Sequence, residues 1–246
     1  MSHLTQKSAI VTGGSRGIGA AIVRRLAQDG ANVAFTYLGG ESQALELAKE
    51  IESLGVKALP IKADSSNEKS LSEAVKKTVS EFGKLDILVN NAGVAIMAPL
   101  DEFSIEDFDK TFAINVRAPF IAIKEAAKHL QRGGRIINIG SINADRMPFA
   151  NGGVYAMSKA AVQGLTRGLA RDLGPLGITI NNVQPGPVNT DMNPEDGPFS
   201  AVLKPYLSVG RYGQPSEIGA LVSFLAGPDS AYINGASLDI DGGFGN

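Results

Sequence analysis

Short apolar, partly β-branched runs alternate along the chain with longer stretches in which apolar residues recur every three or four positions. Residues 8–11 read as a first strand, and the pattern then switches to a helix from about 17 to 28. Further strands are predicted at 33–35, 58–61, 85–89, 135–139, 178–183 and 237–240. Pro60 marks the third as an edge strand, because proline has no N–H to give to a ladder. Between the fifth and sixth strands, Val154, Ser158, Ala161, Val162, Leu165, Leu169 and Leu173 recur at helical spacing, and Gly174-Pro175 supplies the stop. This rhythm predicts an α/β fold: a doubly wound parallel sheet of about seven strands with helices on both faces. Ligands of such sheets bind at the carboxyl ends of the strands.

No repeat, low-complexity tract or linker interrupts residues 1–246, so a single domain is expected. One stretch, about 189–213, breaks the rhythm with Pro194, Gly197, Pro198, Pro205 and Gly210. Long loops in compact domains are often lids, and a substrate lid is the expectation here.

Composition narrows the function. The net charge of −2 lacks the basic excess of a phosphate-backbone binder, so nucleic acid is not an expected partner. The opening residues lack a basic region followed by a long apolar stretch, and no run approaches the roughly eighteen apolar residues of a membrane span. Neither signal peptide nor membrane is expected, and the expected location is cytoplasmic. With no cysteine and only His3 and His129, disulfides and thiol catalysis are excluded, and neither a metal site nor a Ser-His-Asp triad is expected.

Directly after the first strand comes Thr12-Gly13-Gly14-Ser15-Arg16-Gly17-Ile18-Gly19. Gly13 and Gly17 allow a tight turn, Gly19 allows close helix–strand packing, and a helix N-terminus favours a pyrophosphate. The bland alternative is a plain strand-to-helix turn. The end of the second strand reads Phe35-Thr36-Tyr37-Leu38, with no acid until Glu41 to hold a free ribose 2′-hydroxyl. Arg16 suits a 2′-phosphate instead, which favours NADP(H) over NAD(H), unless it is simply a solvated charge.

Strand four ends in Asn90-Asn91-Ala92-Gly93, strand five runs into Gly140-Ser141, and strand six into Gln184-Pro185-Gly186. Asn115 interrupts an apolar helical pattern, as a satisfied core amide also would. Ser141 reads equally as a helix cap. Tyr155 and Lys159 lie four apart, so on a helix the ammonium stands beside the phenol and is expected to lower its pKa. Chance supplies such a pair in about a quarter of chains like this. Together these residues fall on one rim of one sheet.

In that set the chain resembles the short-chain dehydrogenase/reductase family, from the glycine loop to the closing Asp241-Gly242-Gly243. The resemblance implies a Rossmann-type fold, bound NADP(H), and hydride transfer between the nicotinamide and a small-molecule carbonyl. It implies Tyr155 as proton donor, Lys159 holding the nicotinamide ribose and tuning Tyr155, Ser141 on the substrate oxygen, and Asn115 holding a relay water. Cofactor contacts are implied at Gly13, Ser15, Arg16, Gly17, Ile18, Gly19, Tyr37, Asp64, Asn91, Ala92, Gly93, Tyr155, Lys159, Pro185, Gly186, Val188 and Thr190. A homotetramer is also implied. Within the family, the glycine loop resembles carbonyl reductases and 3-oxoacyl-carrier-protein reductases, while residues 139–148 and 190–194 resemble a cyclic-di-GMP-binding branch. That likeness makes cyclic-di-GMP a second candidate ligand. Asn143, Arg146, Phe149, Met192 and Tyr206 are the expected substrate contacts, with Met147, Phe199 and Leu203 nearby.

Overall fold

In the first strand, β1 (Ser8–Val11), Ala9 and Val11 point to one side of the sheet and Ile10 to the other, and all three are fully buried. The same alternation divides Ile87 and Val89 from Leu88 in the strand over Leu85–Asn90. Covered on both faces, such strands read as continuous apolar runs. The computed structural model describes residues 2–246, and seven parallel strands form its sheet. They are β1, β2 (Asn32–Tyr37), β3 (Ala58–Lys62), β4 (Leu85–Asn90), β5 (Leu130–Ile139), β6 (Thr179–Pro185) and β7 (Ser237–Ile240), in spatial order β3-β2-β1-β4-β5-β6-β7.

Helices α1 (Gly17–Gln28) and α2 (Glu41–Glu52) fill one face. Helix α3 (Glu68–Phe82) fills the other, together with α5 (Ala118–Ala126) and α6 (Gly153–Leu173). The remaining helices are α4 (Ile105–Phe112), the single turn α7 (Ser200–Leu203) and α8 (Pro215–Ala226), the last packed with α1 on the first face. Among the described residues, no helix is long and apolar enough to cross a membrane.

The predicted strands are all present, and β3 lies at the edge as Pro60 implied. Most run longer than the apolar pattern: β3 reaches Lys62, β4 reaches Asn90 and β6 continues through Gln184 to Pro185. β2 continues through Thr36 and Tyr37, and β5 begins at Leu130, with a register shift against β4 between Leu85 and Ile87. Polar and glycine residues hide those extensions from a hydrophobicity reading.

The stretch 189–213 is closed at its base. Asn189 N–H donates to the Gly213 carbonyl and Gly213 N–H to the Pro187 carbonyl, both at 2.9 Å. Leu203, Leu207 and Tyr212 from this stretch pack with Ile142, Phe149 and Phe244 in a small separate core.

The order of strands reverses direction between β1 and β4, and there the two exits are stitched together. Thr12 Oγ1 accepts the N–H groups of Asn91 and Ala92, each at 3.0 Å. Asn91 Nδ2 donates back to the Thr12 and Gly13 carbonyls, each at 2.9 Å. Thr12→Val keeps the shape but leaves two backbone donors without an acceptor, and is expected to cost about 2 kcal/mol in chemical denaturation; an unchanged midpoint would mean that the stitch is not stabilising.

Candidate active site

The loop from β1 to α1 makes its turn through Gly13 and Gly17, at φ +63° and +53°, in the left-handed region. A methyl group on Gly19 would collide with the Gly13 carbonyl and lie 2.5 Å from Asn91 Nδ2, so only glycine lets α1 start this close to the stitched strands. α1 has no side-chain cap and no acid in its first turn. By contrast α3 and α4 are capped by Asn67 and Ser104. The first amides of α1 are thus left facing the rim, as an anion requires. Ser15 is half-buried and Arg16 exposed beside them. Thr190 reaches the same loop, its Cγ2 3.6 Å from where a Gly17 side chain would begin.

Tyr37 is buried at the end of β2; burial first, and then Glu41, push its phenol pKa up. Asp64, beyond β3, turns inward to accept from the Ser66 N–H at 2.8 Å and its hydroxyl at 2.7 Å. At the far exits, Gly186 N–H donates to the Ile240 carbonyl at 3.1 Å, and Pro185 and Val188 are buried.

Asn115 lies in a widened π turn, Ala113–Arg117, between α4 and α5. Such turns are uncommon and often functional. Its amide is held at both ends: Oδ1 accepts from Val94 N–H and Nδ2 donates to Val94 O, each at 2.9 Å. Nδ2 also reaches Ser158 Oγ at 3.0 Å. A side chain on Gly93 would begin 3.4 Å from Asn115 Oδ1 and 3.6 Å from Lys159 Nζ, so Gly93 lies between the two. Ser141 caps the tight turn Ile142–Ala144, accepting from the Asn143 N–H at 3.2 Å, and is close enough to Tyr155 to act on its phenol. Asn115, Ser141, Tyr155 and Lys159 are therefore gathered at one place on the rim.

The expected lowering of the Tyr155 pKa does not occur in this geometry. Burial pushes the phenol up, and the hydrogen bond to Ser141 opposes it. The Lys159 ammonium stands 5.7 Å from the centre of the Tyr155 ring and donates to the Ile139 carbonyl at 3.0 Å. Burial in turn lowers the Lys159 pKa to about 8. Desolvation outweighs the attraction that spacing alone suggested.

On the substrate side, Asn143 Nδ2 donates to Met147 Sδ at 3.1 Å. Arg146 donates to the Phe244 carbonyl at 3.1 Å and to that of Asn246, with its guanidinium 5.7 Å from the Tyr206 ring centre. Phe149 packs on the small core, while Met192 is exposed. Thr12 and Phe244 were not singled out from sequence. Thr12 carried a signal, as the last residue before the glycines; Phe244 acts through a contact distant in sequence and carried none.

Comparison with known proteins shows the family. A family model described as enoyl-(acyl carrier protein) reductase matches residues 13–245. The chain belongs to the short-chain dehydrogenase/reductase family. Among family members, the cyclic-di-GMP-binding biofilm dispersal mediator protein of Escherichia coli is 48% identical over 245 residues, 100% of both chains. A short-chain dehydrogenase/reductase of Serratia marcescens is 55% identical with a TM-score of 0.98, over 99% of this chain and 100% of that one. A short-chain dehydrogenase of Burkholderia cenocepacia, solved in complex with NADP, is 48% identical with a TM-score of 0.98 over the same shares.

The buried Lys159 of this family member has a signature in stability. Its ordinary pKa of 10.5 falls to about 8 on folding, so between those values the unfolded chain binds more protons and stability rises with pH. Below pH 8 both states are protonated and the full cost of burying the charge is present. Lys159→Met is therefore relieved of a charge-burial cost on the order of 3 kcal/mol at neutral pH, offset in part because the Ile139 carbonyl loses its donor. That advantage should shrink as pH rises from 8 to 10.5; a constant difference across paired urea titrations would refute the assignment.

Proposed function

We propose that this chain is an NADP(H)-dependent reductase that converts a ketone into a secondary alcohol, with Tyr155 as the proton donor. The observation that carries the reading is the meeting of Ser141, Tyr155, Lys159 and Asn115 beside Gly93, next to the uncapped start of α1. The residues fit the cofactor. Gly13, whose own N–H is taken by Thr36 Oγ1 at 2.9 Å, leaves room for a pyrophosphate, and Gly17, Ile18 and Gly19 offer it their amides. Exposed Arg16 beside Ser15 suits a 2′-phosphate where β2 offers no acid at its end. Asn91 to Gly93, Pro185, Gly186, Val188 and Thr190 would line the same rim, with Tyr37 and Asp64 at its adenine end. The Burkholderia relative with NADP supports this choice.

Bound NADPH supplies the hydride. The chain's own groups handle the oxygen. Ser141 holds the carbonyl oxygen beside the Tyr155 hydroxyl, and Tyr155 releases its proton as negative charge builds there. A phenol raised by burial is protonated at neutral pH, which suits the reducing direction. Lys159 places a cation near the developing phenolate and remains charged below about pH 8. Asn115 fixes the Val94 backbone and Ser158, and so the relay side of the site. The stretch 189–213 acts as the lid. Asn143, Phe149, Met192 and Tyr206 face the substrate, and Arg146 shapes the wall by holding residues 244 and 246. A cytoplasmic homotetramer completes the reading; light scattering at the mass of one chain would remove the tetramer.

The Escherichia coli relative supports a second reading, a cyclic-di-GMP-binding regulator on the same fold. Calorimetry separates the two: cyclic-di-GMP heat that NADPH competes away favours the regulator, and no heat removes it. For the reductase, NADPH consumption is followed over aryl ketones, β-ketoesters and acyl thioesters; turnover of thioesters alone would point to a carrier-protein substrate. Tyr155→Phe is expected to lower kcat by about 10²–10⁴-fold with NADPH affinity retained. Turnover should also decline as pH rises through about 8, when Lys159 loses its proton. No turnover of any class by folded, cofactor-bound protein would overturn the reading.

A further inference from the structure

Behind the reactive rim, two buried amides are joined to two carboxylates in a cluster that the proton-donor chemistry does not use. Gln163 stands one turn beyond Lys159 and two beyond Tyr155, on the same face of α6. Its Nε2 donates to Asp145 Oδ2 at 2.8 Å and lies 2.5 Å from Gln184 Oε1. Gln184 Nε2 donates to the same Asp145 oxygen at 2.7 Å and to Asp239 Oδ1 at 2.7 Å. Asn182 Nδ2 completes Gln184 Oε1 at 3.1 Å. Gln163 and Gln184 are buried, whereas the two carboxylates lie at the solvent edge.

Asp145 ends the tight turn that begins at Ser141; its N–H donates to the Ile142 carbonyl at 3.0 Å. The cluster therefore binds the turn carrying Ser141 to the helix carrying Tyr155 and Lys159, and both to β6 and β7. Apolar side chains of similar size would fill this space without needing partners. The hydrogen bonds between Gln163, Asp145, Gln184 and Asp239 instead favour one arrangement, with Asn182 Oδ1 left without a partner behind them. Reacting groups need placement to within about 0.5 Å, and Ser141 and Tyr155 come from different elements.

We infer that Gln163, with Asp145 and Gln184, is a positioning unit that sets the Ser141 hydroxyl against the Tyr155 phenol. This rests on the reductase reading of the site. Gln163 touches neither substrate nor cofactor and acts through the Asp145 turn. Gln163→Leu removes the donor at nearly constant size. It is expected to lower kcat about tenfold or more, with NADPH affinity unchanged. Gln163→Glu places a carboxylate against Asp145, and the pair must share a proton to keep the contact. Its kcat should therefore gain a decline with rising pH at mildly acidic values that the parent lacks. Combining it with Asp145→Asn gives the new carboxylate a neutral donor, so no shared proton is needed and the added pH limb should disappear.

A merely structural role would shift stability without the new pH limb. Amide hydrogen exchange at Ala144 and Asp145 supplies a readout that needs no substrate. In Gln163→Leu it should quicken about tenfold as the turn is released. Should that variant fail to fold, Asp145→Ala, which removes the shared acceptor, is read in the same way. Unchanged exchange, or a Gln163→Glu profile identical to the parent, overturns the inference. Faster exchange in a protein that turns over no ketone upholds the clamp and removes the reductase reading instead.

Discussion

The reactive rim hangs from the seam between β1 and β4. The Thr12 hydroxyl takes two backbone donors from the next exit, and the Asn91 amide returns two bonds to the first. Because the strand order reverses there, helices leave to opposite faces and a crevice opens. The stitch keeps that crevice from widening. It also sets the start of α1 against Asn91, and Gly93 between Asn115 and Lys159.

The electrostatics of the site turn on burial. Two opposing effects act on Tyr155: removal from water favours the neutral phenol, and hydrogen bonding favours the phenolate. Removal from water is the larger. Lys159 undergoes the same loss of hydration, and its proton becomes easier to remove. The pair is thus an acid kept protonated beside a cation held near the edge of its charged range.

How much of this was readable beforehand depends on the range of the interaction. The strands, α1, the glycine turn and the Tyr155/Lys159 spacing are local, and each left a pattern within a few residues. The edge position of β3 followed from one missing N–H at Pro60. The extension of β5 to Leu130 did not, because Gly133 and Gly134 weaken the apolar signal and pairing with β4 supplies what propensity lacks. The Tyr155 pKa was misjudged for a related reason: spacing reports a neighbour, whereas burial is a property of the whole fold. Gln163 looked like one more polar residue on a long helix. Its partners, Asp145 and Gln184, are remote in sequence, and nothing at position 163 announces them.

The closed base of the 189–213 excursion has a consequence for how this chain can change. Val188 and Gly213 bridge side by side, so both ends of the excursion are anchored whatever lies between them. Lengthening a loop whose ends are already joined costs little, roughly 0.6 kcal/mol for each doubling. Insertions and deletions in its middle can therefore accumulate without disturbing the sheet. The constrained residues are Thr190, which rests on the glycine turn, and Leu203, Leu207 and Tyr212, which pack on Ile142 and Phe244. Selection can therefore redraw the exposed part of this excursion almost independently of the sheet it springs from, which makes it the segment where chains of shared scaffold can differ most cheaply.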